Sequence, residues 1–171
     1  MQCLFGFDYT CKKIFKSNSL KGTLSVGSCT VRKRQCCPDM SENVECKVES
    51  IDHIVLTVAN IDRSITFYTN ILGMTAKVFG DGRYALHFGT QKINLHQIGH
   101  EFMPHAFKPT CGSVDICFVT KQPLDLWMDK LKALRVTVEE GPVPRTGALA
   151  PMNSLYIRDP DNNLVEIAYY S

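Results

Sequence analysis

No stretch of this chain is apolar for long enough to cross a bilayer; the longest early run, Cys3-Leu4-Phe5-Gly6-Phe7, is short and broken by glycine. A membrane role is set aside on that ground, and a soluble protein is expected. The same segment lacks the apolar centre of a secretion signal, so the cysteines do not read as an extracellular disulfide framework. No Cys-x-x-Cys spacing occurs, which leaves a structural zinc site poorly supported. Residues 51 to 171 also lack a charge surplus, with eleven Lys/Arg against twelve acids. Without a continuous basic face, nucleic acid is not an expected partner.

What is present suits one ordinary globular domain. The chain has 171 residues, of which 44% are hydrophobic and 21% charged, enough for a sizeable core. The formal net charge of +2 hides an uneven distribution: residues 1 to 38 hold seven Lys/Arg against Asp8 alone. Six of the eight cysteines (Cys3, Cys11, Cys29, Cys36, Cys37, Cys46) lie in the first 50 residues and read as free thiols of a reducing compartment. Residues 1 to 49 are therefore expected to be a basic, cysteine-rich, disordered extension preceding a domain at 51 to 171. A cytoplasmic location follows, with a mitochondrial presequence as the alternative, although the amphipathic Arg-rich helix of one is missing.

From Ile51 onward the pattern becomes regular, and it repeats. IDHIVLTV alternates as a strand; ANIDRSITFYTNILGM has helical spacing, with Asp62 as the expected cap, Ile65, Tyr68 and Leu72 on one face, and Gly73 as the stop. MTAKVF, RYALHF and QKINLHQ follow as strands. In the second half SVDICFVT is a strand, QPLDLWMDKLKALRV a helix with Leu124, Trp127, Leu131 and Leu134 on one face, and VTVEE, NSLYIR and NLVEIAYY three strands. The order βαβββ thus occurs twice, over about residues 51–100 and 112–171. Laying His53 on Asp115 aligns the first strands and sets Asn94 on Glu166. The expected fold class is α+β, two βαβββ modules forming a curved mixed-sheet cleft lined by inward strand residues.

The repeat, the His in IDHIVLTV, the FYTNILGM helix end, the GPVPRTGA loop and the closing RDPDNNLVEI together resemble the vicinal oxygen chelate superfamily, the glyoxalase, bleomycin-resistance and extradiol-dioxygenase fold. The likeness covers residues 51 to 171. It implies a divalent-metal-dependent enzyme of the lyase, isomerase, transferase or dioxygenase type acting on a small oxygenated substrate. The metal polarises neighbouring substrate oxygens. The alternative it carries is a metal-free protein of the bleomycin-resistance type that holds or sequesters a small molecule, with Phe79, Tyr84, Phe88, Phe118 and Tyr156 as aromatic surface.

The resemblance places metal ligands at His53, Asn94, Asp115 and Glu166. It also gives a purpose to Glu166, an acid amid Leu164, Val165, Ile167 and Ala168 whose burial without a partner is costly. Lactoylglutathione lyase relatives place Glu and His where Asn94 and Asp115 stand, so that four-ligand set is incomplete. A three-ligand set of His53, Asp115 and Glu166, like that of fosfomycin-resistance transferases, survives and suits Mn or Fe, with Ni and Zn as further candidates. His96 shares a strand face with Asn94 and is the alternative ligand to it, given a slight shift of the backbone. Glu166 is ligand or catalytic base, and Arg145 is the candidate for a substrate carboxylate or phosphate. Against these stand plainer roles: a hydrogen-bonded core His53, a Glu166 satisfied by Arg145 or Arg158, and an Arg145 paired with Glu139 or Glu140.

Residues 141 to 151 are expected as an irregular flap over the cleft. His100 and His105 read as incidental, Cys117 as a thiol on the Asp115 face, and Arg158, Asp159, Pro160 and Asp161 as turn architecture. As in many relatives, a homodimer is expected in which His53 of one chain faces Asp115 and Glu166 of the other.

Overall fold

The computed structural model describes residues 45–170, so the expected basic arm up to Val44 lies outside the described residues. The compact unit carrying every described element begins at Lys47. In chain order these are β1 (His53–Val58), α1 (Ile61–Asn70), β2 (Thr75–Phe79), β3 (Arg83–Phe88), β4 (Gln91–Gln97), β5 (Asp115–Thr120), α2 (Leu124–Ala133), β6 (Val138–Thr146), β7 (Pro151–Arg158) and β8 (Leu164–Tyr169). The βαβββ order is therefore present twice. Each module makes one four-stranded mixed sheet, ordered β1-β4-β3-β2 and β5-β8-β7-β6, and the two sheets do not join. In both, the first strand runs parallel to the last and the remaining pairs are antiparallel.

Alternation along the strands decides which side is covered. Leu56 and Val58 of β1, Ile93 and Leu95 of β4 and Leu86 of β3 are buried with Tyr68 of α1. Leu155, Ile157, Val165 and Ile167 are buried with Leu124 and Leu131 of α2. These two clusters share Phe67, Leu72, Ile116 and Phe118 at their margins, so the helix-covered sides of both sheets meet in one continuous interior. The opposite side of each sheet is left open. His53, Lys92 and Asn94 lie on that side of the first sheet, and Asp115, Cys117 and Glu166 on that side of the second.

Two expectations shift. Asn60, not Asp62, caps α1: its backbone is extended (φ −146, ψ 118) and its side chain accepts from the Arg63 amide at 2.8 Å. Asp62 falls inside the first turn, where its charge favours the helix dipole. Most of the expected flap is strand. Gly141 to Thr146 belong to β6 and Val143 to Thr146 pair with β7, with register shifts on either side of Glu140 absorbing the Gly141-Pro142 step, where no amide proton is available to the ladder. The RDPDNN turn is architecture, as expected. Buried Asp159 accepts from the amides of Asp161 (2.9 Å) and Asn163 (2.8 Å) and from the Asn163 side chain (2.8 Å), and Arg63 of α1 donates to the carbonyl of Pro160.

Candidate functional site

The register confirms the equivalence of the candidate positions. Asn94 lies opposite Val55 and Glu166 opposite Cys117, one alternation beyond His53 and Asp115 respectively. The structure therefore brings Asp115, Cys117 and Glu166 onto one open sheet face, and His53 and Asn94 onto another. Because the modules meet through their other sides, the two sets do not converge within a chain. Among the described residues no three His, Cys, Asp or Glu side chains come together as a metal-binding group.

Each face nonetheless carries an unmet demand. Oδ1 of Asn94 and Oε1 of Glu166 are buried without any hydrogen-bond partner. Such an acceptor costs on the order of 1–3 kcal/mol, more when charged, unless something meets it. The two orphaned atoms stand at equivalent points of the two modules; Nδ1 of His96 and Oγ of Ser154 are likewise buried without a partner. On the first face Nδ1 of His53 lies 2.6 Å from Oδ1 of Asp52, and this contact holds the Asp52 carboxyl below its ordinary range. A carboxylate on one ring nitrogen turns the other outward, the arrangement of a metal-ligating histidine.

On the second face Cys117 and Tyr156 flank Glu166 from the neighbouring strands β5 and β7. Burial, followed by the Glu166 charge, pushes the Cys117 thiol up to about 12, so it stays protonated near neutrality. Burial also raises the Tyr156 hydroxyl, against the opposing effect of Arg145, whose Nε donates to it at 2.8 Å. Arg145 is in turn paired with Glu140 at 2.9 Å, and Arg158 with Glu139 at 3.0 Å. Arg145 thus braces Tyr156 rather than riding on a mobile flap.

His96 lies on the face of Asn94 but opposite Thr57, four residues along β1 from His53 and thus roughly 13 Å away at strand rise. It is 7% exposed, and the Phe102 ring stands edge-on against it at 5.6 Å. Burial lowers its titration. His100 and His105 belong to the exposed inter-module segment. Sequence reasoning missed Asp52 and the part Tyr156 plays beside Glu166. Both had a signal, since Asp52 adjoins His53 and Tyr156 alternates with apolar Leu155 and Ile157.

A hard or borderline divalent cation fits the donor chemistry of His53, Asp115 and Glu166, provided that two chains contribute. Residues 50–167 match the model of the Glyoxalase/Bleomycin resistance protein/Dioxygenase superfamily. The chain belongs to that superfamily. Virulence protein STM3117 of Salmonella typhimurium is 47% identical over 129 residues, 75% of this chain and 90% of that protein. Its crystal structure has a TM-score of 0.73, covering 74% of this chain and 100% of that one. Glyoxalase domain-containing protein RDO1 of Mycosarcoma maydis is 51% identical over 123 residues, 72% of this chain and 69% of that protein. Metallothiol transferase FosB of Staphylococcus epidermidis is 27% identical over 124 residues, covering 71% and 82% of the two chains. No helix among the described residues is long and apolar enough to cross a membrane.

Proposed function

We propose that this superfamily member is a divalent-metal-dependent enzyme acting on a small oxygenated substrate, with each site assembled from two chains. His53 and the open face of the first sheet come from one protomer, Asp115 and Glu166 from the other. The observation carrying this reading is the pair of orphaned acceptors, Asn94 Oδ1 and Glu166 Oε1, on two faces that do not meet within a chain. Charge supports it as well. The first face bears Lys77, Arg83 and Lys92, whereas the second bears Asp115 and Glu166, its Arg145 and Arg158 being neutralised by Glu140 and Glu139. Opposite charge favours pairing unlike faces over like ones.

When bound, the cation supplies Lewis acidity toward substrate oxygens. His53 and Asp115 serve as ligands, and Glu166 as ligand or base. Cys117 and Tyr156 hold the Glu166 carboxylate in place, and Arg145 fixes Tyr156. The three-donor set and the identity with a metallothiol transferase favour a transferase-type reaction over the lactoylglutathione lyase type, since Asn94 offers only a neutral oxygen.

Mixing His53→Ala chains with Glu166→Ala chains tests the reading. One intact site per heterodimer is expected, seen as metal retention in elemental analysis that neither variant shows alone. Recovery of no metal by the mixture when wild type retains it, or a monomer at all concentrations with metal present, overturns the shared site. The alternative reading is a metal-free binding function. Stoichiometric metal in wild type that is lost in Glu166→Gln decides against it.

A further inference from the structure

On the open face of the first sheet Thr57 lies opposite His96 across β1 and β4, and Phe79 opposite Arg83 across β2 and β3. Arg83 is held there from three sides. Its guanidinium carbon sits 4.8 Å from the centroid of the Phe79 ring and 5.6 Å from that of Phe102. Its third contact is Gly80, in the β2–β3 turn, where a Cβ would lie 2.6 Å from the guanidinium nitrogen Nη2. The missing side chain leaves the room that the Arg83 head group fills. Lys92, on the same face, brings its ammonium 4.5 Å from the same Phe79 ring. The two cations are therefore no further apart than the sum of their distances to that ring.

Neither cation has a carboxylate partner among the described residues, whose ion pairs are His53–Asp52, Arg145–Glu140 and Arg158–Glu139. Aromatic faces offset only part of such charge. On the same face a buried polar group lacks a partner, Nδ1 of the 7% exposed His96. A neutral imidazole donates from that nitrogen in one of its tautomers. A pre-oriented guanidinium, an ammonium and an unsatisfied imidazole on one sheet face suit an oxyanion.

We infer that Arg83 and Lys92, with His96, form an anion subsite that binds a carboxylate or phosphate group of the substrate. The assignment rests on the open face of the first sheet being a wall of the active site, and it narrows the substrate class to anionic molecules. Arg145 had been the sequence-level candidate for that role, but it is already paired with Glu140.

The test uses metal-stripped full-length protein, so that it stands apart from metal binding and from the shared metal site. Calorimetric titration with inorganic phosphate and, separately, with acetate distinguishes the two oxyanions. Saturable binding of at least one is expected, weakened about tenfold by Arg83→Gln or Lys92→Gln, as expected for loss of one charge-assisted hydrogen bond. Lys121→Gln, outside the cluster, is expected to leave it unchanged, and Arg83→Lys to retain more binding than Arg83→Gln. Circular dichroism verifies folding, and Gly80→Ala, which displaces the guanidinium without removing its charge, serves as a second variant with weakened binding. Absence of saturable binding of either anion to wild type overturns the inference. So does equal binding by wild type, Arg83→Gln and Lys92→Gln. If those variants bind the anion normally and lose only self-association in ultracentrifugation, the cations serve the interface between copies and the subsite is wrong. Metal retained by His53→Ala as by wild type, with anion binding intact, sinks the shared metal site alone.

Discussion

The hydroxyl of Tyr68 donates to Oδ2 of Asp159 at 3.0 Å across 91 residues of sequence, and both side chains are buried. The bond ties the helix of the first module to the last turn of the second, the turn that launches β8 and so aims Glu166. Burial and the neighbouring Asp159 charge raise the Tyr68 hydroxyl above its ordinary range, so it remains a donor. Tyr68→Phe keeps the ring packing and removes this one donor to a carboxylate. A loss of about 1.5–3 kcal/mol is expected, read from the urea midpoint with unchanged slope. A wild-type midpoint in the variant counts against a structural role for the bond.

Cys117 gives a prediction with a defined sign. The Glu166 carboxylate helps hold its thiol up at about 12, so Glu166→Gln lowers the thiol and increases the thiolate at pH 8. Alkylation of the Cys117 peptide by iodoacetamide, followed by mass spectrometry, should accelerate by roughly tenfold if the thiol moves down by one unit. Cys46 and Cys111, the other free thiols among the described residues, act as internal references. An unchanged rate at Cys117 relative to them is incompatible with the contact. Because the folded thiol titrates above the ordinary value, this residue's effect on the fold is absent below that value and destabilising as pH rises from there toward 12.

Asp52 is expected to matter through His53. Asp52→Asn preserves shape and weakens the hold on the imidazole, and metal affinity should fall by at least about tenfold. Competition with a chromogenic chelator measures it. If affinity stays at wild type while His53→Ala abolishes binding, the 2.6 Å contact is incidental to ligation.

Gly141 allows the bulged β6 to lie against β7. Its φ is +118, and a Cβ there would meet the Ser154 carbonyl oxygen at 2.5 Å and the Leu155 Cα at 2.6 Å, both backbone atoms. Gly141→Ala is expected to cost at least about 3 kcal/mol, from steric overlap combined with a disfavoured backbone angle. Thermal unfolding monitored by circular dichroism reads this directly; a shift of only a degree or two would mean that the strand pair yields.

Local pattern determined much of this protein. Period-two alternation in HIVLTV and LVEIAY and helical spacing in α1 and α2 are properties of neighbouring residues, and the doubled βαβββ order followed from them. The equivalence of Asn94 with Glu166 was legible for the same reason, since two modules with one topology must place corresponding strands alike. The tertiary structure decided what local pattern does not encode. Alternation tells which residues share a side of a sheet but not how one sheet is turned toward another. It was the packing of Phe67, Leu72, Ile116 and Phe118 between the modules that turned the His53 and Glu166 faces away from each other. GPVPRT reads as loop because glycine and proline weaken strands, yet pairing with β7 and a bulge outweighed that weakness. The Arg83 seat was hidden for a similar reason. Phe79, Gly80 and Phe102 come together only when strand pairing and the inter-module segment fold over them, and a free arginine and a held one are the same letter in the sequence.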